Sequence, residues 1–132
     1  MSPEQRREKG RASKRKGKRG ELEAASEWQR VTGVAMRRSV QFNGRATGGQ
    51  SDIIGHDGVS IEVKRTEKLS IYAAMEQAKE TATPGEIPIV LHRRNCKKWL
   101  AIVELDNLAE LSKLIHERQV DAQVQVAEET EA

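Results

Sequence analysis

The stretch Ser51-Asp-Ile-Ile-Gly-His-Asp-Gly-Val-Ser-Ile-Glu-Val-Lys64 predicts a β-hairpin, because two β-rich runs, 51–55 and 59–65, flank the turn signal His56-Asp57-Gly58. With those three residues as the loop, Asp52 lies directly across from Glu62. Lys64 falls on the same face as Glu62, since side chains alternate along a strand. Two carboxylates and an ammonium group therefore converge on one patch of sheet.

This convergence indicates a metal-dependent site, because two neighbouring carboxylates repel each other and a divalent cation neutralises them. A nearby lysine can then position a water molecule. The hairpin residues alone fit a second interpretation equally well. Glu-x-Lys is common in exposed strands, and the patch would then be a solvated charged face.

Composition indicates one small intracellular domain. The chain has 132 residues, 36% hydrophobic and only 3% aromatic, so we expect a modest aliphatic core and a homodimer that buries further surface. The single cysteine, Cys96, excludes an internal disulfide and fits a reducing compartment. Neither a run of about 18 apolar residues nor a signal-peptide pattern is present, which predicts a cytoplasmic protein without a membrane partner.

The first 20 residues contain nine Lys/Arg and two Glu, whereas the rest of the chain is mildly acidic. Residues 1–19 are therefore predicted to be a basic arm, disordered or loosely helical, that binds DNA backbones through counterion release. The residues assigned to this contact are Lys14, Arg15, Lys16, Lys18 and Arg19. A solubilising tail and a nuclear localisation signal are the alternatives.

Apolar periodicity predicts a helix over 20–31, with the stripe Leu22, Ala25, Trp28 and Val31, ended by Thr32-Gly33. Glu21 lies at the edge of this stripe, and Glu23 lies on the polar side. A first strand over 34–42 and a glycine-containing loop follow. Further phosphate contacts are predicted from Arg37, Arg38, Ser39 and Arg45.

The second half of the chain alternates helix and strand signals. A helix over about 70–82 has Gln77 at the edge of its apolar stripe, within reach of the hairpin. Strands over 87–94 and 99–105 precede a last helix, 107–118. The domain is thus assigned to residues 20–118, with a polar, acidic tail at 119–132 that forms an edge strand or is disordered.

The order of helix, strand, hairpin, helix, strand, strand and helix, with acids on the first helix and the hairpin, resembles the PD-(D/E)xK nuclease superfamily. Within it, the chain is similar to the archaeal and phage Holliday-junction-resolvase-like branch over roughly residues 16–105. The matching stretches are Lys16-Gly-Lys-Arg-Gly-Glu21, Gly33-Val-Ala-Met-Arg-Arg-Ser39, Ser51-Asp52 and Ile61-Glu-Val-Lys64. In that branch a Lys-Gly-x-x-x-Glu helix start precedes an Asp and a Glu-Val-Lys strand.

The resemblance implies an α/β (α+β) fold with a restriction-endonuclease-like core, a central mixed β-sheet of about five strands flanked by helices. It also implies that Asp52 and Glu62 hold Mg²⁺ or Mn²⁺ and that Glu21 completes the metal or water shell. Lys64 would orient the attacking water, and Gln77 matches a glutamine of related nucleases. Because the helix glutamate is one residue further from Gly33 than expected, Glu23 remains an alternative to Glu21.

The predicted function is a structure-selective DNA endonuclease of a bacterium, archaeon or phage that resolves four-way junctions in DNA recombination and repair. Two symmetric cuts favour a two-fold dimer, and no small-molecule cofactor is implied. A nuclease acting on flap, nicked or duplex DNA is the alternative within enzymes. A non-catalytic DNA-binding protein on the same fold and a basic-tailed interaction protein are the alternatives outside them.

Overall fold

The computed structural model of the protein describes residues 2–39 and 51–131. Within these residues, the strands form a five-stranded sheet in the order β1-β2-β3-β4-β5, in which β3 and β4 are parallel and the other neighbours are antiparallel. This confirms the predicted α+β class with a mixed sheet of about five strands. The elements are α1 (Pro3–Thr32), β1 (Arg37–Arg38), β2 (Ile53–Ile54), β3 (Val59–Arg65), α2 (Ile71–Thr81), β4 (Ile87–Arg93), β5 (Leu100–Val103), a 3-10 turn (Leu105–Asn107) and α3 (Leu108–Glu131).

The β2–β3 hairpin has the predicted register, because Ile53 pairs with Ile61. Strand β3 has the predicted bounds, whereas β2 is shorter than the predicted run 51–55. Asp52 lies just outside the ladder, and its backbone N–H donates over 2.9 Å to the carbonyl of Ile61, the residue that already pairs with Ile53. Gly58 closes the turn with φ 91°, a left-handed conformation that glycine adopts without strain.

One face of the sheet packs against α1 and α3, and the other packs against α2. The buried apolar residues of the first layer are Ala24, Ala25, Trp28, Ile53, Val59, Ile61, Ile87, Ile89, Leu91 and Leu111. The second layer is smaller and contains Ala74, Met75, Ala78 and Val90. Glu62 pairs with Val90 across the parallel ladder. It therefore lies on the α2 face, and Lys64 follows on the same face.

Helix α1 is longer than predicted, and the predicted start at residue 20 is wrong. Ser2 caps the helix, because its side chain accepts from the N–H of Gln5 and its N–H donates to the side chain of Gln5, with Pro3 at the first helical position. Residues 3–19 are rich in Arg, Lys, Glu and Gln, which favour helix without any apolar stripe. The predicted end at Gly33 is confirmed.

The apolar stripe of α1 differs from the prediction at both ends. Leu22 is 50% exposed and Val31 is 64% exposed, whereas Ala24 is fully buried beside Ala25 and Trp28. The face of α1 that packs on the sheet therefore consists of Ala24, Ala25 and Trp28. The small side chains of the two alanines let α1 approach the sheet closely.

Helix α3 continues through Glu131, and the predicted end at residue 118 is wrong. The segment 119–131 is neither an edge strand nor disordered in the structure. Its valines, Val120, Val124 and Val126, are exposed, so packing does not explain the helix. Its Gln, Ala and Glu residues do, since they favour helix over strand.

The outer halves of α1 and α3 leave the sheet at opposite ends. Gly20 lies against Arg65 at the carboxyl end of β3, where a methyl group added to Gly20 would come within 2.8 Å of the Arg65 Cβ. At the amino end of β3, Gly58 lies against Leu114 of α3. The basic segment 3–19 therefore projects beyond one end of the sheet. The segment 119–131, which contains four acidic residues and no Lys or Arg, projects beyond the other.

Candidate active site

The candidate site lies where the hairpin meets α2, and its centre is the pair Asp52 and Glu62. One carboxylate oxygen of Asp52 accepts a hydrogen bond from the backbone N–H of Val63 over 2.7 Å. This contact holds the Asp52 side chain beside β3, next to Glu62. Glu62 is only 5% exposed. The structure therefore brings together the two hairpin carboxylates that the sequence predicts as neighbours.

The pKa of Glu62 is raised to about 7, first by burial and then by Asp52, which acts through its charge and through a hydrogen bond between the two carboxyl groups. A hydrogen bond from Thr81 and the charge of Lys64 act in the opposite direction. A buried carboxylate is costly unless another charge or hydrogen bonds compensate it. The contact between Glu62 and Asp52 thus depends on whether Glu62 is protonated. Two carboxylates on a solvated charged face would not affect each other in this way.

Glu21 approaches this pair from α1. Burial raises the pKa of Glu21, a hydrogen bond from Arg38 lowers it, and the charge of Asp52 raises it again. Glu21 and Arg38 also form an ion pair. The effect of the Asp52 charge shows that α1 brings the Glu21 carboxylate near the hairpin, the side on which the sequence predicts it.

Glu23, the alternative to Glu21, points to a different part of the sheet. Its carboxylate accepts a hydrogen bond from the Trp99 indole over 2.8 Å and pairs with Arg93. Both partners belong to the β4–β5 side of the molecule. The predicted position of Glu23 on the polar side of α1 is therefore only partly right, and Glu21 is the helix glutamate beside Asp52.

Lys64 and Gln77 meet on the α2 face. The Lys64 ammonium donates to the Gln77 side-chain oxygen over 2.7 Å. Gln77 is exposed and Lys64 is half-buried, so this contact lies at the mouth of the site. Among residues 2–39 and 51–131, this bond uses one of the three donors of the ammonium and holds the ammonium beside α2.

The residues predicted to contact phosphates differ in how far they are exposed. Lys18, Arg19 and Arg37 are exposed. Arg38 is engaged with Glu21, and Ser39 is 2% exposed, with its backbone N–H donating to the Asp52 carbonyl over 2.9 Å. The predicted surface contact at Ser39 therefore needs correction, because this residue supports the hairpin from within. Arg45 and the side chains of Lys14, Arg15 and Lys16 lie outside the described residues.

Sequence reasoning missed two partners of the site carboxylates. Thr81, one helical turn beyond Gln77 on α2, lies close enough to Glu62 to lower its pKa, and its hydroxyl donates to the Gln77 carbonyl over 3.1 Å. That i, i+4 spacing from Gln77 is a signal that the sequence does contain. The ion pair between Arg38 and Glu21 joins residues 17 positions apart in the chain, and no local pattern predicts it.

The oxygen donors of Asp52 and Glu62 are of the kind that Mg²⁺ and Mn²⁺ prefer. Within residues 2–39 and 51–131, no group of three or more His, Cys, Asp or Glu side chains is arranged to hold a metal ion. Over the same ranges, no helix is both long and apolar enough to cross a membrane. Comparison with known proteins gave no match among family models, curated proteins or solved structures.

Proposed function

We propose that the protein is a metal-dependent endonuclease that cuts branched DNA, in particular four-way junctions, by hydrolysis of phosphodiester bonds. The observation that carries the proposal is the buried contact between the carboxyl groups of Glu62 and Asp52, beside the ammonium of Lys64. A solvated face of the hairpin does not account for it, since Glu62 is 5% exposed. A buried carboxyl group whose pKa is raised by burial and by a neighbouring carboxylate is typical of a functional site.

Asp52 and Glu62 would hold Mg²⁺, or Mn²⁺ in its place, because a cation offsets the repulsion and burial that raise the pKa of Glu62. Mg²⁺ is commonly bound through one or two carboxylates together with substrate phosphate and water, so two protein ligands are sufficient. When bound, the ion stabilises negative charge on the phosphate and makes water a better nucleophile at neutral pH.

Lys64 supplies the positioned donor of the reaction. Gln77 accepts from one of its N–H bonds over 2.7 Å, and the other two, which have no acceptor within residues 2–39 and 51–131, would donate to the attacking water and to a phosphate oxygen. In hydrolysis the water oxygen forms a bond to phosphorus, the bond to the bridging oxygen breaks, and that oxygen takes up a proton. Glu21, held by Arg38, stands close enough to Asp52 to orient a water on that side.

Resolution of a four-way junction requires two cuts on opposite strands. The described part of the chain contains one cluster of this kind. A two-fold homodimer would place two such clusters in symmetric positions, which gives the paired cuts without a second type of site.

The proposal is tested with a labelled four-way junction, a flap, a nicked duplex and a linear duplex of shared arm sequence, in Mg²⁺ and in EDTA. We expect paired symmetric cuts on the junction that are lost in EDTA and in Asp52→Asn. The matched control is Asp57→Asn, an exposed carboxylate in the turn of the same hairpin. If the protein binds DNA without metal-dependent cleavage, the proposal that it is an enzyme is rejected. If it cuts all four substrates equally, the proposed preference for junctions is rejected and a general DNA endonuclease remains.

Gln77→Met is expected to lower the cleavage rate at saturating DNA by roughly 10-fold, the smaller effect typical of a residue that orients a reacting group. The physical reason is that the Lys64 ammonium loses the acceptor that fixes its direction. Single-turnover kinetics with the junction measure the rate. The melting temperature should not change, because Gln77 is exposed.

Two variants control for this result. Gln77→Glu keeps an acceptor oxygen for Lys64 and should retain more activity than the Met variant. Gln29→Met makes the same substitution at an exposed position of α1 and should have no effect. Wild-type rates for Gln77→Met would show that Lys64 needs no partner on α2.

A further inference from the structure

Three cations in the turn between β4 and β5 are not used by the candidate site. Arg94, Lys97 and Lys98 are exposed. None of them forms an ion pair with an acidic side chain of residues 2–39 or 51–131. We refer to these three residues as the turn patch.

The backbone that carries the turn patch is braced from several sides. The Arg93 guanidinium donates to the Lys97 carbonyl over 2.6 Å, and the N–H of Lys97 donates to the Arg94 carbonyl over 3.3 Å. Asn95 is held twice, by a 2.8 Å bond from its N–H to Glu67 and by a 2.8 Å bond from the Arg65 guanidinium to its side-chain oxygen. A polyanion would therefore meet charges whose backbone is already ordered, which lowers the entropy cost of binding.

The turn patch adjoins the candidate site along the sheet. Lys64 pairs with His92, and Arg65 pairs with Arg93, so Arg94 lies just beyond the last pair of the β3–β4 ladder. Neighbouring strands are about 5 Å apart, which places the start of the turn beside the strand that carries Lys64. A phosphate backbone passing Lys64 at this end of the sheet would reach the turn patch next.

Exposed cations of α1 lie at the same end of the sheet. Gly20 rests against Arg65, so Lys18 and Arg19, which are exposed, are adjacent to the carboxyl end of β3. The ion pair between Glu23 and Arg93 ties α1 to the strand that leads into the turn. Cations from two separate elements therefore meet at one end, whereas the acidic segment 119–131 projects from the other.

We propose that the turn patch, together with Lys18 and Arg19, is a second surface that binds the sugar-phosphate backbone of DNA beside the candidate site. The inference rests on the proposed function and adds residues to which the sequence assigned no role. Lysine and arginine at a braced turn neutralise phosphates without contacting base edges, so the surface binds without sequence preference. Its position next to Lys64 favours DNA over an anionic membrane.

The test compares the triple variant Arg94→Gln, Lys97→Gln, Lys98→Gln with wild type in EDTA, where the junction is bound and not cut. Each phosphate contact contributes about 0.9 to the slope of log affinity against log salt, so we expect the slope to fall by roughly 2 to 3. Affinity at about 0.1 M salt should fall roughly 10- to 100-fold. The cleavage rate at saturating DNA in Mg²⁺ should stay within about twofold, because the turn patch would contribute to binding.

The control variant is Lys79→Gln, Lys113→Gln, Arg118→Gln, which removes the same charge from exposed positions of α2 and α3. It should retain most of the wild-type salt slope. The inference is overturned if the turn-patch variant keeps the wild-type slope, or if the control loses as much. Loss of binding to anionic phospholipid vesicles with an unchanged DNA slope would also overturn it, in favour of a membrane. No binding of DNA by the wild type would reject the proposed function as well.

Discussion

Replacing Glu62 by Gln is expected to lower the rate of metal-dependent junction cleavage by at least about 1,000-fold, because several kcal/mol of transition-state stabilisation depend on the bound ion. The amide keeps the size of the side chain and removes the charge that would bind the cation. Glu62 is buried against Asp52 and Thr81, so the neutral side chain should fit without loss of folding. Single-turnover cleavage at saturating Mg²⁺ measures the effect.

The matched control is Glu80→Gln, the same substitution at an exposed position of α2. It should cleave at the wild-type rate. Binding of the junction in EDTA should be retained by both variants, since neither loses a cation that would contact phosphate. Cleavage by Glu62→Gln within about threefold of wild type would exclude Glu62 as a metal ligand, and with it the mechanism proposed above.

The second large effect is on folding stability in the absence of metal. The pKa of Glu62 is raised from 4.5 to about 7 in the folded protein. A group whose pKa is higher in the folded state contributes stability that is fully present below its unfolded pKa and is lost as the pH rises through its folded pKa. Metal-free protein should therefore lose up to roughly 3 kcal/mol from this group between about pH 4.5 and pH 7.

Denaturant unfolding in EDTA at several pH values measures this loss. Other groups also contribute to the pH dependence, since burial raises the pKa of Glu21 and lowers that of His56. The relevant quantity is therefore the difference in free energy of unfolding between wild type and Glu62→Gln. As the pH rises, wild type should lose stability relative to Glu62→Gln. The free energy of unfolding of Glu80→Gln should have the same pH dependence as that of the wild type. Parallel curves for wild type and Glu62→Gln would show that Glu62 ionises in the fold as easily as in the unfolded chain.

The hairpin register was predictable from the sequence because two independent constraints agree. The alternation of Ile53, Ile61 and Val63 with charged residues assigns each side chain to a face, and a slip by one residue would bury the charges. The turn at Gly58 fixes the loop length. The neighbourhood of Asp52 and Glu62 follows from these local rules, without knowledge of the rest of the fold.

The outer halves of the two long helices were not predictable by the same reasoning. Apolar periodicity identifies a helix by its buried stripe, and segments 3–19 and 119–131 have no such stripe. Capping at Ser2 and helix propensity determine them instead. Contacts between residues far apart in the chain were also not predictable. The contacts of Arg38 with Glu21 and of Arg65 with Asn95 depend on the three-dimensional fold.

Segments 3–19 and 119–131 carry opposite net charges and project from opposite ends of the sheet, so the molecule has a large electric dipole moment. In the field of any polyanion such a molecule experiences a torque that turns its basic end forward, before any contact forms. Encounters that begin at the acidic end are repelled, so a larger share of collisions starts in one orientation. Association is then accelerated chiefly at low ionic strength, because salt shortens the distance over which this torque acts.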